Sequence, residues 1–492
     1  MKGAVMLELE YIFVKDYKIL NDTEVIFIPE KGYPEYYYDY FSENKFTILV
    51  GENGVGKTTL MSFIATVFKN LQRFHNKITS EFKIKYSLGK GEDSKKVILE
   101  KQETNIFITV VDILPRSLLL EYNMSKKRYI LKSHQEFFER RVTYDEIRKY
   151  LPFNIITSVF SMHGEYPSYH PNLKGDRIIE EYDVSNIYGD NHYRFTSLSR
   201  GMIRFIQICI DEQSKAKDLL SLLGLEFTNE ILVRSLLYTR KYSELKIGMD
   251  MAEDPRYPDF AFELLDEHKQ LIEKFNDLEY FIRSNAISIE NYENDENVWI
   301  SIDEDNLDEL LRFENEGLIY INDISFSKVG EFISLSNMSS GEKMLFIRFL
   351  SLLSSVEDDS LIIIEEPELH LNPSWTKQII TLFQMLFSDY NVHFLISTHS
   401  HLFINTVFPE NIIYVEEGEF VQPDTSESTF LANEVEISNR FFENYSKLNY
   451  IEDLLWKKVE TAEVSELKNI IGYLGESYTR FKLVRILMKK EG

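Results

Sequence analysis

Residues 51–58 read Gly51-Glu52-Asn53-Gly54-Val55-Gly56-Lys57-Thr58, and this stretch decides the fold. It fits the pattern G-x-x-x-x-G-K-[ST]. Residues 45–50 before it predict a strand, and the apolar periodicity of residues 58–70 after it predicts a helix. Glycines allow backbone N–H groups to turn toward phosphate oxygens, and the helix offers its positive N-terminus to the same anion. The stretch therefore predicts a phosphate-binding loop, in which Lys57 reaches the β- and γ-phosphates and Thr58 ligates Mg²⁺.

A second motif is an apolar run that ends in two carboxylates, Glu365 and Glu366. Residues 361–364 before them are all Leu or Ile, which is typical of a buried parallel strand with function at its carboxyl end. Taken alone, an apolar strand that ends in acids is more often structural, but the phosphate loop favours a catalytic interpretation. Glu365 is then expected to hold the Mg²⁺ shell, and Glu366 to polarise the attacking water as general base.

Two further stretches combine an element boundary with polar side chains. Residues 338–343 read Met-Ser-Ser-Gly-Glu-Lys before a predicted helix, so Ser339 or Ser340 is either an ordinary N-cap or part of a second phosphate-binding helix start. Residues 394–400 predict a strand that ends at His399. A lone histidine is usually structural, but beside a phosphate loop the pattern favours a sensor of the γ-phosphate.

The bulk composition indicates a folded protein of two or three domains. The chain has 492 residues, of which 44% are hydrophobic and 14% aromatic. Its one cysteine, Cys209, allows no disulfide within the chain, which fits a reducing cytosol. The N-terminus has no signal-peptide pattern, and no run is apolar enough to span a membrane, so we expect a cytoplasmic protein without membrane contact.

The charge balance is strongly acidic. Lys and Arg total 54 and Asp and Glu total 80, which gives a net charge of −26. Such a chain does not bind nucleic acid through its overall field, so DNA contact would need a local basic patch or a partner. Basic clusters occur at residues 126–128, 140–141 and 480–490, and the simpler interpretation is that they are solvated surface.

The pattern along the chain predicts an α/β protein with a mixed β-sheet and flanking helices. Residues 133–150 read as an amphipathic helix, residues 167–193 as an irregular loop, and residues 201–290 as mostly helical. The predicted parts are an N-terminal part of the nucleotide-binding head with the phosphate loop (1–212), an inserted, mainly helical module (213–325), a C-terminal part of the head (326–423) and a small helical C-terminal tail for partner or oligomer contacts (424–492).

These motifs occur in the same order as in ABC-type ATPases, and the chain resembles the soluble RecF/SMC-like and OLD-like branch of AAA family ATPases. The resemblance covers residues 6–70 and 331–415. It implies a P-loop head of the ABC type, with ATP and Mg²⁺ as cofactors. It also implies a nucleotide held between two subunits in head-to-tail register, so at least a homodimer is expected.

The resemblance also implies individual roles. One subunit would bind ATP through its loop, the other would contact the γ-phosphate through its signature, and Glu366 and His399 would be the catalytic base and the switch histidine. The loop residues are Asn53, Gly54, Val55, Gly56, Lys57, Thr58 and Thr59, and the signature residues are Ser339, Gly341 and Glu342. Two departures stand out: Glu365 replaces the usual Asp, which predicts different metal geometry and slow turnover, and residues 154–167 contain no Gln where the family's Mg²⁺-shell glutamine is sought.

A narrower resemblance, carried by residues 155–158, 182–189 and 429–433, is to bacterial anti-phage ATPases. These are PtuA of Septu systems, including retron-associated versions, and more distantly AriA. It implies a separately encoded effector, an HNH nuclease of the PtuB type, and for the retron versions a complex of reverse transcriptase with msDNA. Few residues follow the histidine motif, so we expect no nuclease domain of the OLD type on this chain.

Three functions are therefore weighed. The first is an ATPase that senses infection and controls an effector nuclease in phage defence, which the acidic surface favours because it suits basic partners. The second is a RecF-like ATPase of DNA repair or chromosome maintenance that grips DNA directly. The third is a toxin-like nuclease, which the sequence disfavours because it shows no HNH pattern and no metal-ligating Cys/His cluster.

Overall fold

The protein is described by a computed structural model. The described residues are 7–29, 32–34, 37–41, 44–73, 78–89, 94–111, 116–123, 128–132, 140–141, 147–158, 166, 179–182, 192–235, 266–287, 297–369, 371–416, 418–423, 429–432, 450–475 and 478–491. They form two compact units, Met1–Asn433 and Glu434–Gly492. The prediction placed the start of the tail at residue 424, and the three-part division of the first unit stays a prediction.

The first unit is built around a seven-stranded sheet, in which every strand but the last edge strand is parallel to its neighbours. The spatial order is β11-β10-β16-β17-β3-β18-β19. The strands are β3 (Lys45–Val50), β10 (Ile155–Ser158), β11 (Ile179–Tyr182), β16 (Ser360–Glu365), β17 (Val392–Thr398), β18 (Ile412–Glu416) and β19 (Glu419–Val421). The central strands β3, β16 and β17 are buried along their whole length, which explains their unbroken apolar runs.

A second sheet is antiparallel and has eight strands in the order β2-β1-β4-β5-β6-β7-β8-β9. They are β1 (Glu8–Tyr17), β2 (Leu20–Ile26), β4 (Phe82–Leu88), β5 (Lys95–Gln102), β6 (Asn105–Val111), β7 (Arg116–Asn123), β8 (Arg128–Lys132) and β9 (Arg140–Arg141). Alternating burial in β4, β5 and β6 follows the period of two that the sequence shows. One buried cluster joins this sheet to the first through Leu60, Phe63 and Phe68 of the helix that follows the phosphate loop.

A third sheet lies in and beside the region predicted to be mostly helical. Among the described residues of 201–290 and of 213–325, helices still outnumber strands, so the helical prediction holds there, but it missed one strand of this sheet, Glu226–Ser235. The sheet has four antiparallel strands in the order β13-β12-β14-β15. They are β12 (Glu226–Ser235), β13 (Asn297–Ser301), β14 (Ile319–Lys328) and β15 (Glu331–Ser334). Strand β12 buries Ile231, Val233 and Ser235 at a period of two, but its acidic residues and helical flanks hid that pattern.

The described helices pack around the sheets or form the tail. They are α1 (Tyr37–Phe41), α2 (Lys57–Arg73), α3 (His192–Asp211), α4 (Gln213–Leu222), α5 (Asp266–Asn285), α6 (Leu307–Asn315), α7 (Ser340–Ser355), α8 (Pro373–Thr376), α9 (Ile379–Leu386), α10 (His401–Ile404), α11 (Tyr450–Thr461), α12 (Val464–Tyr473) and α13 (Tyr478–Glu491). No helix in the described ranges has the length and apolarity needed to cross a membrane.

Two local predictions were wrong where the structure describes the chain. Residues 140–141, predicted to lie in a helix, form the short strand β9, and residues 179–182, predicted to lie in an irregular loop, form β11. Both are edge strands of two to four residues, and such short strands carry too few residues for periodicity to reveal them. The basic cluster at residues 126–128 lies mostly outside the described residues, as does most of residues 133–150.

Within the second unit, α11, α12 and α13 share a small apolar core. Val459, Ala462, Leu467 and Leu483 are buried there. Helix α12 begins with a capping box, in which Glu463 and Glu466 satisfy each other's backbone N–H groups. The prediction of a helical tail therefore holds for the described residues of this unit.

Candidate functional site

The site is assembled where three neighbouring parallel strands end. Strand β17 lies between β3 and β16, and the pairs Thr398–Val50 and Glu365–Ser397 align the three carboxyl ends. The phosphate loop follows β3, the carboxylate pair ends β16, and the histidine follows β17. Because the carboxyl ends of parallel strands share one edge of a sheet, motifs that are hundreds of residues apart in sequence become neighbours.

The phosphate loop has the backbone conformation that its glycines permit. Gly54 and Gly56 adopt positive φ angles of 82° and 111°, which side-chain-bearing residues rarely adopt. A Cβ on Gly51 would lie 2.2 Å from the carbonyl oxygen of Val415, so the loop needs glycine to pack against the end of β18. A Cβ on Gly54 would meet nothing within 4 Å, so the loop is open on that side. This open glycine cradle at the start of α2 suits a phosphate chain.

Lys57 is buried within the loop that it follows. Its Nζ atom donates to the carbonyl oxygens of Gly51 at 2.6 Å and Glu52 at 2.7 Å. Burial lowers the pKa of Lys57 to about 8, although Glu366 and Glu365 act in the opposite direction. The ammonium group is thus held beside the loop backbone. A phosphate group bound there would be stabilised by its positive charge.

The two carboxylates at the end of β16 have different environments. Glu365 is buried, and burial raises its pKa, against hydrogen bonds from the hydroxyls of Thr58 and Tyr166. Glu366 is half-buried, and a hydrogen bond from His399 lowers its pKa. Glu366 also has a positive φ of 41°, a strained conformation for a residue with a side chain. Strained residues tend to cluster at functional sites, so this conformation is consistent with a chemical task for Glu366.

His399 lies between the carboxylate of Glu366 and the ammonium group of Lys57. Its Nε2 atom is 3.0 Å from Oε1 of Glu366 and 3.3 Å from Nζ of Lys57. One ring nitrogen can donate to the carboxylate or accept from the ammonium, but it cannot do both at once. The imidazole is therefore placed so that a change at either neighbour alters its contact with the other.

The signature residues do not join this cluster within one copy of the chain. Ser339 is the N-cap of α7, its hydroxyl accepts from the backbone N–H of Glu342, and the Glu342 carboxylate accepts from the N–H of Ser339 in return. Glu342 also pairs with Lys328. Gly341 lies in the first turn of α7. Among the described residues, the hydrogen bonds of Ser339 and Glu342 stay within this cap and Lys328, so the N-cap role is observed and the phosphate-binding role stays a prediction.

The remaining loop residues surround the cradle. Asn53 and Thr58 are exposed, whereas Val55 and Thr59 are half-buried, and Val55 packs against the main core. Thr58 is nevertheless within hydrogen-bonding reach of Glu365, which brings together the two predicted metal ligands. No group of three or more His, Cys, Asp or Glu in the described part of the chain could hold a metal by itself. Two oxygen donors plus phosphate oxygens are a donor set that suits Mg²⁺, so the residues fit the predicted metal.

Sequence reasoning missed two residues that touch the cluster. The hydroxyl of Tyr166 donates to Oε1 of Glu365 at 3.0 Å. Tyr166 lies within residues 154–167, the segment in which the family's Mg²⁺-shell glutamine was expected. A tyrosine hydroxyl therefore contacts the carboxylate where the resemblance predicts a glutamine amide. Glu368, two residues after the carboxylate pair, accepts hydrogen bonds from Thr398 and from the backbone N–H of His399. Its signal was the third acid of the Glu-Glu-Pro-Glu run, which the sequence analysis left without a role.

Part of this chain matches a known protein family, and the chain is similar to two named proteins. Residues 243–405 match the family described as "AAA domain, putative AbiEii toxin, Type IV TA system", a range that includes the signature, the carboxylate pair and His399. The chain is 25% identical over 417 residues to "Retron Vc95 probable ATPase" of Vibrio cholerae serotype O1 biovar El Tor, covering 78% of this chain and 73% of that protein. It is 29% identical over 108 residues to "Retron Ec83 probable ATPase" of Escherichia coli, covering 20% of each chain.

Solved structures were compared as well. The Smc head domain of Pyrococcus furiosus, bound to the C-terminal domain of ScpA, aligns with 90% of this chain and 100% of its own at 14% identity, with a TM-score of 0.33. The SMC head domain of Thermotoga maritima aligns with 85% of this chain and 99% of its own at 11% identity, with a TM-score of 0.32. Scores of this size carry no argument about function. The sequence comparisons do, and they show that this chain contains an AAA-family ATPase domain and is homologous to retron-associated proteins named as probable ATPases.

Proposed function

We propose that this chain hydrolyses ATP at the edge of the seven-stranded sheet. The observation that carries the proposal is the convergence of three motifs on His399, whose Nε2 atom lies 3.0 Å from Oε1 of Glu366 and 3.3 Å from Nζ of Lys57. An open glycine cradle, a buried ammonium group and a carboxylate held ionised by His399 suit phosphoryl transfer to water, which depends mainly on positioning and on charge stabilisation.

The proposed chemistry divides among these side chains. Lys57 would leave its own loop carbonyls to balance the charge of the β- and γ-phosphates. Glu366, ionised at neutral pH, would accept a hydrogen bond from the attacking water and orient it. His399 would hold Glu366 in place and contact the γ-phosphate. Thr58 and Glu365 would hold Mg²⁺, which when bound neutralises charge on the phosphate oxygens.

We further propose that a second copy of the chain completes the site. Among the described residues, Ser339, Gly341 and Glu342 make no hydrogen bond to the Lys57 cluster of their own chain, although the start of α7 carries a complete capping box. In a head-to-tail dimer the start of α7 from one copy would face the phosphates held by the other. ATP would then bridge the two copies, and its loss would loosen them.

The broader role that we propose is control of a separately encoded effector nuclease, of the HNH type, in phage defence. Two relatives carry names that associate them with retrons, which supports a setting with partner proteins and nucleic acid. The net charge of −26 supports a scaffold that holds a basic partner better than one that wraps DNA unaided. ATP binding or hydrolysis would set whether the effector is restrained.

Hydrolysis is tested by steady-state phosphate release from the full chain. We expect Lys57→Ala to abolish nucleotide binding and turnover together. The exposed Lys96 of β5 provides a matched control, because Lys96→Ala removes the same group from another sheet. Normal binding and hydrolysis by Lys57→Ala, with the protein folded, would sink the proposal.

The partner is tested by purifying the chain together with the products of its neighbouring genes. A nuclease that co-purifies, and whose DNA cleavage changes between wild-type and Lys57→Ala complexes, would support the regulatory role. A nuclease whose activity is identical in both complexes would contradict it, even if ATP hydrolysis is confirmed.

A second candidate is direct DNA binding by a RecF-like ATPase, and one observation favours it. Helix α13 exposes Lys482, Arg485 and Lys489 along one side, a local basic surface on an acidic chain. This candidate predicts tight DNA binding by the isolated protein with a steep salt dependence. It also predicts that Arg485→Glu weakens that binding while Lys468→Glu, on α12, does not.

A further inference from the structure

The turn that carries His399 is fastened to a third carboxylate. Oε1 of Glu368 accepts a hydrogen bond from the hydroxyl of Thr398 at 2.6 Å and another from the backbone N–H of His399 at 3.1 Å. Thr398 is completely buried. One carboxylate oxygen therefore fixes both the last residue of β17 and the residue that follows it.

The Thr398 hydroxyl also holds the turn from its other side. It accepts a hydrogen bond from the backbone N–H of Ser400 at 2.9 Å while it donates to Glu368. The backbone is thus restrained before, at and after His399. Since the imidazole sits 3.0 Å from Glu366, a small shift of this backbone would change the contact between the two side chains.

Glu368 is itself anchored on a short turn after β16. The carbonyl of Glu366 accepts from the N–H of Leu369 at 3.1 Å, and the carbonyl of Glu368 accepts from the N–H of Leu371 at 3.0 Å. The same turn contains the strained backbone of Glu366. The turn that presents Glu366 and the turn that presents His399 are consequently tied together by Glu368.

The second oxygen of Glu368 points into the protein. Oε2 is buried and has no hydrogen-bond partner among the described residues. The charge of Glu368 acts to raise the pKa of two buried cationic side chains, Arg348 on α7 and Lys57, against the effect of burial.

We infer that Glu368 and Thr398 are positioning residues that hold the His399 turn so that its imidazole meets Glu366. The inference rests on the proposed function, because it gives these residues a task in ATP turnover. It assigns no contact with the nucleotide to either residue.

The experiment is a double-mutant cycle between Thr398 and His399. Thr398→Val removes the hydroxyl at nearly constant volume, and Thr398→Ser keeps it. We expect Thr398→Val to lower kcat by at least about 10-fold, the scale of misplacing a catalytic group. Nucleotide affinity should stay within about two-fold, since no uniform binding contact is lost. Thr398→Ser should keep most of the activity.

The cycle then separates positioning from general damage. In a His399→Ala background, Thr398→Val should change kcat by less than about two-fold, because the residue it positions is already gone. An equal fold loss in both backgrounds, or an equal loss in Thr398→Ser, would overturn the inference. Glu368→Gln, which keeps an acceptor oxygen, should be closer to wild type than Glu368→Leu. This second pair tests the inference should Thr398→Val fail to fold.

A readout independent of hydrolysis distinguishes failure of the inference from failure of the proposed function. In protein with labelled histidine, the ring resonance of His399 can be assigned by its loss in His399→Ala. We expect it to move in Thr398→Val and Glu368→Leu and to stay in Thr398→Ser. An unmoved resonance in both would overturn the inference, whereas a wild-type protein that hydrolyses no ATP would overturn only the proposed function.

Discussion

A histidine lies near each end of strand β17, and the two histidines differ in burial and in the charge of their hydrogen-bond partners. At the amino end, His393 is fully buried, its Nδ1 accepts from the backbone N–H of Leu9 at 2.9 Å, and its Nε2 must therefore donate to the Thr47 hydroxyl at 2.9 Å. At the carboxyl end, His399 is half-buried between Glu366 and Lys57. The first histidine has fixed neutral partners, and the second has charged partners that compete for it.

The same contrast holds for the two edges of the parallel sheet. At the amino edge, Asn391 accepts from the N–H of Leu7 at 3.0 Å, and Asn44 donates to the carbonyl of Phe387 at 3.0 Å. These polar groups lock elements together. At the carboxyl edge, the polar groups pair mainly with one another and one backbone is strained. The difference teaches that partners, and not residue type, separate structural from chemical groups in this sheet.

The strongest test of the carboxyl edge is Glu366→Gln. The amide keeps the size of the side chain but cannot accept a proton from water, so we expect turnover to fall by at least about 100-fold, the lower range for a general base. ATP binding should persist, because Lys57 and the glycine cradle remain. Phosphate release and nucleotide affinity are measured on the same preparation.

The matched control for this change is Glu226→Gln, on an exposed position of β12 in another sheet. It should leave turnover unchanged. If Glu366→Gln hydrolyses ATP at the wild-type rate, Glu366 takes no part in hydrolysis. The proposed chemical difference between the carboxyl edge and the amino edge would then be wrong.

The sequence predicted the carboxyl edge better than the rest of the molecule. The phosphate loop, the carboxylate pair and His399 each carry a local pattern, and the rule that parallel strands end together supplies their proximity. Tyr166 could not be predicted, because its role depends on a contact with Glu365, which is 199 residues away in sequence. Glu368 stands out as a third acid, but its task depends on Thr398 and His399, which lie 30 and 31 residues further along the chain. Strand β12 was missed for a related reason, since its partners β13 and β14 lie more than 60 residues away along the chain.

The second test exchanges the two histidines for leucine. His393→Leu leaves the N–H of Leu9 and the hydroxyl of Thr47 buried without this partner, so we expect a loss of about 2 kcal/mol in the free energy of unfolding. His399→Leu should cost less than about 1 kcal/mol, since the site is half-exposed, yet lower turnover. Denaturant titration and phosphate release give the two values, and a larger stability loss at His399 than at His393 would reverse the contrast.

The third test uses pH at the amino edge. Burial, together with the nearby charge of Lys45, lowers the pKa of His393 from its ordinary 6.5 to about 3. The carboxylate of Glu8 lies 3.8 Å from the ammonium nitrogen of Lys45. The folded state thus keeps His393 neutral, so its contribution to stability is complete above pH 6.5 and is lost as pH falls toward 3. For one group the slope is at most about 1.4 kcal/mol per pH unit.

The comparison of wild type with His393→Leu isolates the contribution of His393 to the pH dependence of the free energy of unfolding, since the two proteins share all other titrating groups. Between pH 6.5 and 4, wild-type stability should fall more steeply than that of the variant. Parallel pH dependence in the two proteins would mean that His393 is protonated in the folded state, in conflict with its acceptor role toward Leu9.

The smallest expected effect concerns Ser339, which lies at neither edge of the parallel sheet. Two substitutions decide whether its hydroxyl has a structural role or a role in ATP turnover. As the N-cap of α7 its loss in Ser339→Ala should cost about 1 kcal/mol of unfolding free energy. Ser339→Asn restores a good cap without the hydroxyl. If Asn recovers both stability and turnover, Ser339 is structural, like the amino edge. If Asn recovers stability alone while turnover stays low, its hydroxyl has a second task that fits a phosphate across the proposed dimer. Because Ser339→Asn restores the cap of α7, low turnover in that variant could not be caused by loss of the cap.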